Sequence, residues 1–139
     1  MNTEIEKYFR VIKATKSLMH VKLMGHWTKT LAAVIGPGFV DRWKEMIDQF
    51  QGTRFYLLID LTDFETPSYE AKEFIFQTMK YTLPRGFVKA IEISPKAITR
   101  IGIKTTASRA EINDQRIVVN SLEEAREILS EWNISYYAS

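Results

Sequence analysis

Acidic and hydroxyl side chains gather behind one apolar run of this chain. Residues 54–61 read RFYLLIDL, and Thr62, Asp63, Glu65 and Ser68 follow. Asp60, Asp63 and Glu65 offer the carboxylate oxygens that a hard cation or an acid–base pair requires. The same grouping arises wherever acids collect ahead of a helix amino terminus, because the macrodipole favours negative charge there, and that is the expected reading. Ser68 suits a helix N-cap, and a phosphate on it would also sit well on a helix amino terminus. His20 and His26 share a strand face with Lys22. Six residues of strand separate the two imidazoles by roughly 20 Å, too far for one metal ion, so a solvated face is expected. Lys96, Arg100 and Lys104, four apart, form a basic stripe that would be a solvated helix face or a contact for phosphate headgroups. The chain carries no dinucleotide loop, no phosphate-loop lysine motif, no nucleophile elbow and no paired helical histidines. No enzyme activity, cofactor or metal site is expected.

The chain that positions these residues has 139 of them, a length that fits one domain spanning 1–139. With 45% hydrophobic and 12% aromatic residues it is not a disordered chain, and a net charge of +2 excludes nucleic-acid binding by bulk charge. Aromatics are not interleaved with the basic stripe as stacking platforms would be, so no nucleic-acid partner is expected. The absence of cysteine removes disulfides, thiolate zinc sites and cysteine nucleophiles together. The opening MNTEIEKYFR lacks a signal-peptide pattern, and no stretch approaches ~18 apolar residues, so a cytoplasmic location is expected. Charge is uneven: residues 1–29 hold six Lys/Arg and two Glu, residues 84–110 hold six Lys/Arg and only Glu92, and residues 111–139 hold two Arg and six acids.

Residues 8–14 and 18–27 read as a hairpin with one buried face, Met19, Val21, Leu23 and Trp27 inward and His20, Lys22, Met24 and His26 outward. After Gly36-Pro37-Gly38, the spacing of Phe39, Val40, Trp43, Met46, Ile47 and Phe50 predicts an amphipathic helix that Gly52 ends. Residues 54–61, apolar at both parities, belong in the middle of a sheet. Thr66-Pro67-Ser68 starts a second helix with Ala71, Phe74, Ile75, Thr78 and Met79 inward, and Pro84 with Gly86 ends it. A strand over 87–93, a helix from Ser94-Pro95 to about Thr106, and a short strand over 116–120 follow. Ser121 to Glu124 forms a capping box for a last helix, whose stripe is Leu122, Ala125, Ile128, Leu129 and Trp132. The order predicts an α/β domain with a mixed sheet of about five strands, antiparallel hairpin first and the remainder mostly parallel, with about four helices. Ligands of such sheets bind beyond the carboxyl ends of the strands, which points to residues 60–68. Phe76, Tyr81, Tyr136 and Tyr137 offer apolar surface for a homodimer.

The element order, with LLIDLTDF (57–64) entering a long helix and RIVVNSLEEAREIL (116–129) closing the chain, resembles the STAS domains, and within them the SpoIIAA-like branch of small single-domain bacterial proteins. The resemblance implies a non-enzymatic STAS-like α/β fold and two kinds of role. In the SpoIIAA-like branch it implies a small apolar or amphipathic, lipid-like ligand under the first helix. Phe39, Val40, Trp43 and Met46 would line that site with Asp60 and Thr62, and Gly36-Pro37-Gly38 would be its hinge. Lys96, Arg100 and Lys104 would then contact anions or a membrane surface. The alternative is the protein-interaction switch of the anti-sigma-factor antagonists, whose motif resembles Asp-Leu-Ser, a short spacer, then Asp-Ser-Ser-Gly. Asp60-Leu61-Thr62 matches its first part, and Pro67-Ser68-Tyr69-Glu70 stands in place of the second. Ser68 lies near the phosphorylatable position, a one-residue gap deciding whether Ser68 or Tyr69 aligns.

Overall fold

A computed structural model describes residues 3–136. A short helix α1 (Thr3–Glu6) leads into the hairpin of β1 (Phe9–Ala14) and β2 (Leu18–Leu23), whose turn is closed by the Thr15 hydroxyl accepting from the amides of Ser17 and Leu18. Then come α2 (Lys29–Asp48), β3 (Phe55–Asp60), α3 (Tyr69–Thr82), β4 (Phe87–Ile93), α4 (Ala97–Arg109), a 3-10 turn at Asn113–Gln115, β5 (Arg116–Val119) and α5 (Leu122–Glu131). The sheet runs β1-β2-β3-β4-β5, with β1–β2 antiparallel and every later pair parallel. This is the expected mixed sheet, with α1 in addition to the four expected helices.

Sequential parallel strands joined by right-handed crossovers place α2, α3 and α4 on one face of the sheet, and α5 is left to cover the other. The two cores divide the strands accordingly. Met19, Val21, Leu23, Phe55, Leu57 and Ala90 pack with the buried side chains of α2 and α3. Leu18, Leu58, Ile91, Ile93 and Val119 pack with Ala125 and Leu129 of α5. β3 is thus apolar on both sides because both sides are covered. The expected single buried face of the hairpin is corrected for β2, an inner strand rather than an edge. Leu18 and His20 are buried against the α5 side, and His20 is only 4% exposed. His26, past the strand end, is exposed.

α2 begins ten residues before its sharp apolar stripe. Thr28 is its N-cap, its hydroxyl accepting from Leu31 N at 3.2 Å, and the helix runs through Gly36-Pro37-Gly38 without ending. Pro37 withholds a backbone donor from the Ala33 carbonyl. Both residues are exposed, so water can take that carbonyl. Gly36 is needed for contact rather than for bending, since a Cβ there would lie 2.3 Å from the Phe74 ring of α3. The expected hinge is therefore the point where two helices press together. α4 also starts later than expected: Lys96 occupies its N-cap position with no side-chain cap, and Ser94 instead extends β4, its amide donating to Val119 O at 2.9 Å. α3 and α5 begin as predicted, Ser68 accepting from Ala71 N and Ser121 from Glu124 N, each at 3.2 Å.

Helix propensity and packing oppose each other at Gly36. Alanine should add about 1 kcal/mol of propensity, yet the overpacking against Phe74 should cost ~1–3 kcal/mol. Gly36→Ala is expected to lower the urea midpoint, and Gly36→Ala/Phe74→Leu to recover part of the loss.

Candidate functional site

The carboxyl edge of the sheet is assembled by backbone hydrogen bonds. Asp60 Oδ1 accepts from Thr62 N at 2.9 Å, a local turn that ends β3. Gly25, at φ +86°, donates to Asp63 O at 2.8 Å and accepts from Glu65 N at 3.1 Å. Ser68 N donates to Trp27 O at 3.0 Å. Trp27 is fully buried, its indole N–H donating to Met24 O at 2.9 Å. Its ring stands edge-on to Phe39 of α2 at 4.9 Å and to Phe64 of the loop at 5.4 Å. Thr99, in the first turn of α4, donates to Phe64 O at 3.3 Å. The loop 61–68 is thereby held between β2, α2 and α4, and it delivers Ser68 half-buried at the start of α3. Beside it Tyr69 is 70% exposed.

The carboxylates of this edge do not converge. Asp60 is turned to the Thr62 amide, and Asp63 forms an ion pair with Lys22 Nζ at 2.7 Å. That contact holds the Asp63 carboxyl below its ordinary range and the Lys22 ammonium above its own. Among the described residues no group of three or more His, Asp or Glu side chains could hold a metal ion.

The space under the first long helix is a cavity of about 50 Å³ between α2, α3, α4 and the sheet. Phe39 and Trp43 line it, with Leu57, Ile75 and Thr78. Val40 and Met46 are buried in the same core without lining it, while Asp60 and Thr62 lie at the end of β3, outside it. Its volume is about a third of the roughly 150 Å³ that admits benzene. An apolar ligand would need α2 to move, and nothing in the closed arrangement supports one.

The basic stripe is divided by its surroundings. Arg100 donates to Ser94 O and to Asn120 Oδ1, tying together the ends of β4 and β5, while Lys96 and Lys104 are exposed. The aromatics read as dimer surface are covered by their own chain. Arg109 lies over Phe76 at 4.1 Å and Arg85 over Tyr81 at 3.5 Å. Tyr136 meets His20, and Tyr137 lies outside the described residues. Among the described residues no helix is long and apolar enough to cross a membrane.

Two buried polar groupings were not anticipated. At the cavity wall Glu92 receives Arg116 through two 2.6 Å bonds, from Nε and Nη2, and Arg116 Nη1 donates to Asn113 Oδ1 at 2.7 Å. Both side chains are almost fully enclosed. The available signal was the acid itself: Glu92 stands within the apolar strand FVKAIEI, where a buried carboxylate demands a cation. On the other face His20 Nδ1 lies 2.7 Å from Tyr136 OH, and its Nε2 is buried with no partner among the described residues. Burial above all lowers the imidazole pKa from 6.5, Arg126 and Lys22 add to this, and Asp60 opposes it.

No family model and no curated protein sequence matches the chain. Solved structures do. The anti-sigma factor antagonist SpoIIAA in its unphosphorylated form aligns with a TM-score of 0.56 at 13% identity, over 91% of this chain and 98% of that one. A protein of Thermotoga maritima, provisionally assigned as an anti-sigma factor antagonist, aligns with a TM-score of 0.55 at 15% identity, over 88% and 94%. The chain has the STAS fold in its SpoIIAA form.

Two outcomes follow from the buried groups. Arg116→Met strands the Glu92 carboxylate and should cost ~3–5 kcal/mol in chemical denaturation, whereas Glu92→Leu/Arg116→Met should return close to the wild type. His20 is neutral in the folded chain at pH 7, and the unfolded chain takes up the proton first. Its contribution is therefore present above about pH 6.5 and is lost progressively as pH falls below that value through the lowered pKa of the folded chain. Thermal melts between about pH 7.5 and about pH 5.5 should show a smaller acid-side fall in His20→Gln than in the wild type.

Proposed function

We propose that this chain is a non-enzymatic regulatory domain that binds a protein partner at the carboxyl edge of its sheet and is switched by phosphorylation of Ser68. One observation carries the reading. Ser68 is the N-cap of the helix that follows the central strand, held there by Trp27, with Tyr69 exposed beside it. Two structural neighbours support it, since both are named for anti-sigma factor antagonism and one for its unphosphorylated form.

The chemistry of the switch is local. The Ser68 hydroxyl accepts from Ala71 N, and a phosphoryl oxygen could accept the same bond on the positive end of α3. The modification adds about −1.5 to −2 charges at pH 7. They would arrive on a rim where Asp63 is paired with Lys22 and Glu65 and Glu70 flank Ser68, so the charge next to Tyr69 turns more negative. A partner seated on Tyr69 would be repelled or re-selected by that change alone.

The test pairs the purified chain and ATP with serine kinases encoded beside its gene. Intact mass should show one added phosphate on wild type and on Tyr69→Phe, and none on Ser68→Ala. Loss of the cap should cost Ser68→Ala ~1 kcal/mol of stability, while Ser68→Asn should restore stability but accept no phosphate. A wild type that stays unmodified, or a phosphate that persists on Ser68→Ala, would sink the switch.

A further inference from the structure

α4 is amphipathic in the wrong sense for its place in the fold. Its buried positions are Thr99, Gly102, Ile103, Thr106 and Ala107, whereas Ile98 is 71% and Ile101 67% exposed. The inner side is small. A Cβ on Gly102 would lie 3.4 Å from the Lys72 side chain of α3 and 3.7 Å from Thr66 of the loop, ordinary contact distances that place this side of α4 against α3 and the loop. Its buried hydroxyls are satisfied within the fold, Thr106 donating to Gly102 O and Thr99 to Phe64 O. The fold therefore makes no use of Ile98 and Ile101, which lie one turn apart on the outer face.

The charge carried by α4 itself has one sign. The helix, AITRIGIKTTASR, contains no acid. Arg100 is committed to Ser94 O and Asn120, and Arg109 to Glu73. Lys96, at the N-cap position and felt by Asp63, and Lys104 are exposed and lie before and after the two isoleucines, about two turns or roughly 12 Å apart along the axis. Two copies of this face brought together would oppose four lysines with no acid on either helix, so self-pairing is disfavoured. A membrane-surface helix presents a broad apolar face with Trp, Phe or Leu, and here the apolar patch is two isoleucines.

We infer that the outer face of α4 docks an acidic amphipathic segment of another protein. Two apolar residues of that segment would cover Ile98 and Ile101, and carboxylates flanking them would meet Lys96 and Lys104. This goes beyond the Ser68 reading and stands whether or not Ser68 is phosphorylated.

Selection of phage-displayed random peptides of about sixteen residues, some four helical turns, on the immobilised full chain tests it. Enriched peptides should carry Asp or Glu on both sides of apolar residues spaced three or four apart. Their NMR shift changes should centre on residues 97–109. Binding should fall roughly tenfold or more in Ile98→Ser/Ile101→Ser, and in Lys96→Glu/Lys104→Glu should fall and lose its salt dependence. The second variant keeps the test decisive if the first misfolds. Ser68→Asn should bind these peptides as the wild type does, which separates this surface from the switch. Enrichment of basic peptides, no enrichment, or equal binding to both variants would overturn the inference. So would a sedimenting dimer that Ile101→Glu dissociates, or α4-dependent binding to phosphatidylglycerol vesicles in place of peptide.

Discussion

Trp27 is the contact on which the rest of the arrangement depends. Its ring joins α2 through Phe39 and the loop after β3 through Phe64, and its carbonyl receives the amide of Ser68. One fully buried side chain thus fixes the longest helix, the end of β2 and the start of α3 relative to each other. Phe39 extends the cluster to Phe9 and Trp43, at 5.1 and 6.1 Å between ring centroids, so the same network that sets the edge also closes α2 on the sheet. Edge-to-face rings of this kind add directional preference to a large burial of area. The carboxyl edge is accordingly packed from both sides around Trp27, with α2 closed on the sheet.

The near-neutral charge of the chain is resolved in space into three settings. Buried charge is paired within the sheet as Glu92 and Arg116, which occupy the wall of the apolar cavity between the helices and the sheet. Edge charge is partly paired, Lys22 with Asp63 and Arg109 with Glu73. What is left on α4 is Lys96 and Lys104 beside two exposed isoleucines. A surface with apolar residues framed by one sign of charge selects partners by complementarity more than by area.

Much of the architecture was legible along the chain, and the exceptions share a cause. Alternating and helical periodicities, apolar runs and helix-start residues located the five strands and the four long helices, and periodicity reported the core-facing side of α3 and α5 but not of α4. The N-caps at Ser68 and Ser121 were equally plain, because a cap bonds within three residues. Along the chain Gly36-Pro37-Gly38 reads as a hinge, whereas the need for Gly36 comes from Phe74, thirty-eight positions away. His20 was placed on a solvated face because α5 and Tyr136, which cover it, lie more than a hundred residues on. Arg100 looked like one member of a stripe until the ends of β4 and β5 brought Ser94 and Asn120 to it.

By itself the sequence determined the order and type of the elements, the position of Ser68 at the head of the helix after the central strand, and the uneven distribution of charge. These depend on neighbours within a turn or two, and such interactions are written in local spacing. Only the tertiary structure decided that α2 is one closed helix, that Glu92 and Arg116 are a buried pair, and that Ile98 and Ile101 face outward. Each of those depends on which distant segment occupies the adjoining space, and packing, unlike periodicity, is a property of the assembled elements.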